Sequence, residues 1–182
     1  MKKLIISLML IAVLVASCTV VYGYTNISNY TQCYFYSSGY SSATGTLKVL
    51  NVYTSGTPSA GTSVTIYSYS GSNTQKWEII DNVDISSSLS GTYRVVTMAL
   101  TTLALNYNQS TTKCTVYYFD PLLNSPNDYA IGFNTASGGY TIWLCNRPSR
   151  YLGNSGSSNG SQCYWYTVGN NGVGSEDIWI ML

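Results

Sequence analysis

Leu50-Asn51-Val52, followed by Gly61, Val64-Thr65-Ile66-Tyr67 and Gln75-Lys76-Trp77, is the stretch on which the fold turns. Its β-branched and aromatic runs read as short strands. The clusters Thr54-Ser55-Gly56-Thr57-Pro58 and Ser70-Gly71-Ser72-Asn73 read as turns. The pattern returns twice. Leu105-Asn106-Tyr107, Cys114-Thr115-Val116-Tyr117 and Asp128-Tyr129-Ala130 make a second unit. Leu152-Gly153, Gly160, Cys163-Tyr164-Trp165-Tyr166 and Asp177-Ile178-Trp179 make a third. The leading leucines lie 55 and then 47 residues apart. An opening strand precedes each unit, at Tyr34-Phe35-Tyr36, Tyr93-Arg94-Val95 and Tyr140-Thr141-Ile142. No stretch keeps a helical period, and the apolar segment from Val95 to Leu105 favours strand by its Thr and Val content. Three degenerate repeats of about fifty residues, none able to bury its apolar face alone, predict a closed all-β structure around one shared core. Closure also removes exposed sheet edges.

Read together, these units resemble the repeats of the ricin-B, or QxW, β-trefoil lectins. The resemblance spans about Tyr34 to Leu182 and is strongest in the first unit. The third has Asp177-Ile178-Trp179 in place of Gln-x-Trp, and the second has Ala130 where the tryptophan belongs. The resemblance implies a β-trefoil, in which three repeats build a six-stranded barrel closed by a hairpin triplet. It also implies that Trp77 and Trp179 are structural, buried in the core, while the motif's glutamine pins its own turn.

A saccharide offers an apolar CH face and a rim of hydroxyls, so its site needs an aromatic ring and a few fixed polar groups. In the related lectins each repeat supplies an acid after the Leu, an aromatic residue on the middle strand and a polar residue before the glutamine. By that resemblance the first unit is the best candidate, with Asn51, Thr65, Tyr67, Asn73, Thr74 and Gln75. The second offers Asn106, Tyr117, Asn127 and Asp128, and the third Tyr166, Glu176 and Asp177, with Gly153 where the acid should stand. Asn can pair hydroxyls through both donor and acceptor atoms. It lacks the charge-assisted bonds of a carboxylate, which argues against a galactose-type site.

Lys2-Lys3 and the apolar run from Leu4 to Val15 read as a signal peptide, too short to span a bilayer comfortably. Cleavage after Val21-Tyr22-Gly23 gives a signal peptide of residues 1–23 and a single domain of residues 24–182, destined for secretion. The alternative exit, Val15-Ala16-Ser17-Cys18, resembles a lipobox and would anchor the chain by a lipid on Cys18. Six basic and seven acidic residues follow residue 23, without a basic run, so the footprint of a nucleic-acid binder is missing. Charged residues make up 8% of the chain, against about 25% in an ordinary soluble domain, so Ser, Thr, Asn, Gly and Tyr must cover the surface.

Cys33, Cys114, Cys145 and Cys163 are even in number, which in an exported chain favours disulfides; Cys145 with Cys163 is the preferred pair of three possible schemes. Asn26, Asn29, Asn108 and Asn159 head sequons, meaningful in a eukaryotic host. The chain has no His and no Cys-x-x-Cys, so a zinc site and Ser-His or Cys-His chemistry are not expected. No cofactor is implied. The expectation is a secreted, non-enzymatic module that recognises glycans or glycoproteins, alone or as a targeting subunit. The alternative is a protein-binding or protease-inhibitor trefoil acting through the loop Asp120-Pro121-Leu122-Leu123-Asn124-Ser125-Pro126.

Overall fold

The computed structural model describes residues 30–82, 91–120, 122–168, 174 and 177–182. The expected signal peptide, Cys18, Asn26, Asn29 and Glu176 lie outside these residues. Strand β1 (Tyr30–Cys33) comes first. The first unit supplies β2 (Phe35–Ser37), β3 (Lys48–Val52), β4 (Val64–Ser68) and β5 (Trp77–Asp81). The second supplies β6 (Tyr93–Thr97), β7 (Leu103–Tyr107), β8 (Cys114–Tyr118) and β9 (Ile131–Ala136). The third supplies β10 (Gly139–Leu144), β11 (Arg147–Asn154), β12 (Cys163–Thr167) and β13 (Trp179–Met181). The ambiguous segment from Val95 to Leu105 is thus the end of one strand, a turn and the start of the next.

The outer strands of the units join, all antiparallel, in the order β5-β6-β9-β10-β13-β2. The ring closes because β1, separated from β2 by Tyr34 alone, pairs with β5. The inner strands form three hairpins, β3–β4, β7–β8 and β11–β12. Their tips interlock in a cycle, Ser63 bridging Thr115, Lys113 bridging Tyr164 and Gln162 bridging Thr65. Three units, a six-position barrel and a hairpin triplet make this an all-β β-trefoil.

Equivalent residues of the three units meet at the centre of the triplet. Val64, Cys114 and Cys163 each open the second strand of a hairpin, and Gln162 Nε2 lies within hydrogen-bonding distance of all three of their carbonyls, at 2.8, 3.0 and 2.7 Å. The two N–H groups of this single amide are thus shared among backbone acceptors that burial would otherwise strand. Trp77 and Trp179 are fully buried, as the resemblance implied, and donate their indole N–H to the carbonyls of Leu50 and Leu152 at 3.2 and 3.0 Å. The second unit has no tryptophan to do this. Trp165 of the third unit, at the place that Ile66 and Val116 hold in the others, reaches across and donates to the neighbouring carbonyl, Asn106 O, at 3.1 Å. Burying such a ring contributes on the order of 2–3 kcal/mol.

Two expectations fail. Ser38–Thr44 is a short helix, α1, where no helical period was legible. None of its residues is buried, so it needed no amphipathic pattern, and Gly45 ends it in a left-handed conformation (φ 63°). No disulfide forms among the described residues. Cys33, Cys114 and Cys163 are buried free thiols. Cys145 follows the end of β10 with its N–H bound to Ala130 O, while Cys163 lies in the hairpin triplet beside Cys114, so the expected Cys145–Cys163 pair does not exist. An even count gives no geometry, and a disulfide needs close, aligned Cβ atoms.

Candidate functional site

The first unit holds a cavity of about 620 Å³, lined by Asn51, Tyr53, Thr54, Ser55, Tyr67, Ser70, Ser72, Thr74 and Gln75. Pairing of β3 with β4 sets Asn51 opposite Thr65 and Val49 opposite Tyr67. The turn from β4 to β5 brings Ser70 to Gln75 round to the same mouth. Tyr67 and Tyr53 present 40% and 59% of their surface, so two ring faces stay available to a ligand.

The polar groups form a chain. Thr74 Oγ1 donates to Asn51 Oδ1 at 3.1 Å, and the Ser72 and Thr74 hydroxyls lie 2.7 Å apart. Ser70 reaches Ser72 at 3.3 Å and Gln75 Oε1 at 3.1 Å. Gln75 is consumed by the turn. Its Oε1 accepts the Ser70 N–H at 2.8 Å, and its Nε2 donates to Ser68 O at 3.0 Å. Its role is to hold the loop that carries the hydroxyls. Asn51 Nδ2 rests on Thr65 Oγ1 at 3.5 Å, which orients the amide and leaves hydrogen-bonding capacity for a ligand. No charged side chain lines this cavity, so it suits a neutral, hydroxyl-rich molecule.

Of the six residues expected in this unit, Asn51, Tyr67, Thr74 and Gln75 line the cavity. Thr65 is buried behind Asn51, and Asn73 is exposed outside the lining. Tyr53, Thr54, Ser55, Ser70 and Ser72 were missed. They sit in loops, and only the nearness of Tyr53 to Asn51 in sequence hinted at a second ring.

The equivalent places in the other units are differently filled. In the second, Asn106 Oδ1 accepts from Asn124 Nδ2 at 2.8 Å, and Asn124 also donates to Tyr118 O at 2.8 Å. Asp128 accepts from Gln109 Nε2 at 3.1 and 2.9 Å through its two oxygens and faces Arg147 at 3.6 Å. Asn127 is exposed, and Tyr117 stands edge-on to Tyr118. In the third unit the carboxylate missing after the leucine is supplied from elsewhere. A Cβ on Gly153 would overlap the Asp177 carboxylate and stand 2.8 Å from the Tyr166 ring. Gly153 is thus required by the close approach of Asp177. Burial, and then the Asp177 charge, push the Tyr166 hydroxyl up to about 12 from an ordinary 10.0.

Fold and site together define a β-trefoil with an open, uncharged, tyrosine-flanked cavity in its first unit. Several solved structures share that architecture. The designed three-fold symmetric protein ThreeFoil superposes with a TM-score of 0.62 at 21% identity, over 82% of this chain and 97% of that one. The Rhizoctonia solani agglutinin gives 0.61 at 15%, over 87% and 99%. A Macrolepiota procera ricin B-like lectin, solved with lactose, gives 0.58 at 13%, over 86% and 98%. No family model and no curated protein matches the sequence.

Proposed function

We propose that the chain is a secreted carbohydrate-binding module whose first unit carries the working site for a neutral sugar. The observation that carries this reading is the first-unit cavity. Tyr67 and Tyr53 offer rings for a CH face, and Asn51, Thr74 and Ser72 offer a pre-ordered row of amide and hydroxyl groups to the sugar's rim. Their mutual bonds hold the row before a ligand arrives, which lowers the ordering cost of binding. The lactose bound to the Macrolepiota lectin supports the reading at the level of the shared fold. One shallow site of this kind binds weakly, so a second module, or a partner it targets, would supply avidity. Tyr67→Ala removes an exposed ring without touching the core. A glycan array should light up for the wild type and go dark for this variant at unchanged thermal stability; an array equally bright for both would reject the first-unit site.

A second reading has an observation of its own. Leu122 and Leu123 are 92% and 60% exposed at the tip of the loop between β8 and β9. Such a pair suits a protein partner, as in an inhibitor trefoil. A blank array, together with protein binding abolished by Leu122→Ser and Leu123→Ser, would favour it.

A further inference from the structure

We infer that the junction of the second and third units is a binding site for an oxyanion, the sulfate or carboxylate group of an acidic saccharide. Arg147 and Arg150 place their guanidinium carbons 5.0 and 5.1 Å from the centre of one ring, that of Tyr107. Charged residues are scarce in this chain, so two cations on one ring stand out. One carboxylate, Asp128, faces Arg147, and both its oxygens are already bound by Gln109 Nε2. The cluster therefore keeps an excess of one positive charge.

The donors are as unspent as the charge. Arg150 uses Nη1 on Trp165 O at 3.0 Å. Arg147 Nε is buried without a hydrogen-bond partner, and the 3.6 Å approach of Arg147 Nη2 to Asp128 is an ion pair beyond hydrogen-bonding range. A guanidinium offers five N–H groups in a planar fork that matches the paired oxygens of a carboxylate or sulfate. The ring of Tyr107 holds both forks in place, and about a third of the Arg147 side chain remains open to solvent. An entering oxyanion would neutralise the excess charge through the solvent-open part of the Arg147 fork.

This site is separate from the first-unit cavity and does not depend on it. The test is a calorimetric titration of the full chain with a sulfated hexose, its neutral parent and inorganic sulfate. The sulfated sugar should bind more tightly than the other two. Arg147→Gln and Arg150→Gln should each weaken it about tenfold, the loss of one charge-assisted bond. All titrations are run in the Tyr67→Ala background, which disables the neutral-sugar site, so that binding of the sulfated sugar reports this junction alone and failure here is distinct from failure of that site. Asp128→Asn should tighten binding, because it removes the competing carboxylate. A purely structural role for the cluster would not produce that gain, so this variant decides the matter even where an arginine variant unfolds. Equal affinity for the sulfated and neutral sugars, or no response to any of the three substitutions, overturns the proposal. Equal affinity for inorganic sulfate and the sulfated sugar overturns its saccharide half.

Discussion

Asn51 and Asn106 occupy the same place in the first and second units, but Asn51 lines an open cavity while Asn106 is capped by a loop side chain. Asn51 is braced by Thr74 from one side, with about 620 Å³ of space before it. Asn106 has its oxygen capped by Asn124, from a loop that is longer and carries two leucines. Position and residue type are shared, so the loop alone decides. The third unit makes the same point from the opposite direction. There the residue after the leucine has no side chain, and Asp177 moves into the space. One frame carries three different surroundings at this position, because the frame is held by buried tryptophans and interlocked hairpin tips while the loops differ.

That separation of frame from loop can be attacked at several places. The largest effect should come from the buried Trp165, whose indole ties the third unit to the second. Trp165→Ala should cost about 3–5 kcal/mol, and Trp77→Ala a similar amount. Chemical denaturation that found Trp165→Ala much milder would deny this tie a part in holding the frame.

Cys114 and Cys163 stand where the first unit has Val64. Burial pushes both thiols well above the ordinary 9.0, Cys163 further through its neighbours Cys114 and Asp177, and lifts Cys33 to about 12. The folded thiols keep protons that the unfolded chain releases above pH 9.0, so stability is intact below that value and falls as pH rises. Each thiol should remove about 1.4 kcal/mol per pH unit. Cys114→Val and Cys163→Val, which copy the first unit, should flatten the alkaline loss seen in unfolding curves. A loss that persisted unchanged in the double variant would mean another group is responsible.

Gly153→Ala sets a methyl against the Asp177 carboxylate and should destabilise by about 1–3 kcal/mol. Asp177→Ser in the same background should recover most of this, as a double-mutant cycle reports. Simple additivity would contradict the account of why glycine is needed. The smallest effect should be a gain. The hairpin turn of the second unit holds Thr112 at φ 57°, a conformation that penalises a β-branched residue, whereas in the corresponding turns the positive-φ residues are glycines, Gly61 and Gly160, one place earlier. Thr112→Gly should stabilise by about 0.5–1 kcal/mol, read as a raised melting temperature.

The frame was legible in the sequence because it repeats. Leu50, Leu105 and Leu152, with the strand pairs behind them, recur at spacings that only a three-fold β structure explains. Asn51, Tyr67 and Thr74 were legible through their places in the first unit. Tyr53, Ser70 and Ser72 were not, because loops carry no period. Nor was the reach of Trp165 into the second unit, or of Asp177 into the space at Gly153, since both are contacts between residues distant in sequence. The cysteines misled because parity and compartment say nothing of which thiols meet.

We propose the first unit as the site for a neutral sugar, on the strength of its open cavity. An amide-resolved NMR titration of the full chain, with a neutral sugar found by the array, tests it most directly. The account predicts saturable shifts concentrated at Asn51, Thr54, Tyr67, Ser72 and Thr74, with Asn106 and Tyr117 silent. Shifts of equal size around Asn106 and Tyr117, or around Tyr166 and Asp177, with the first unit unmoved, would contradict it.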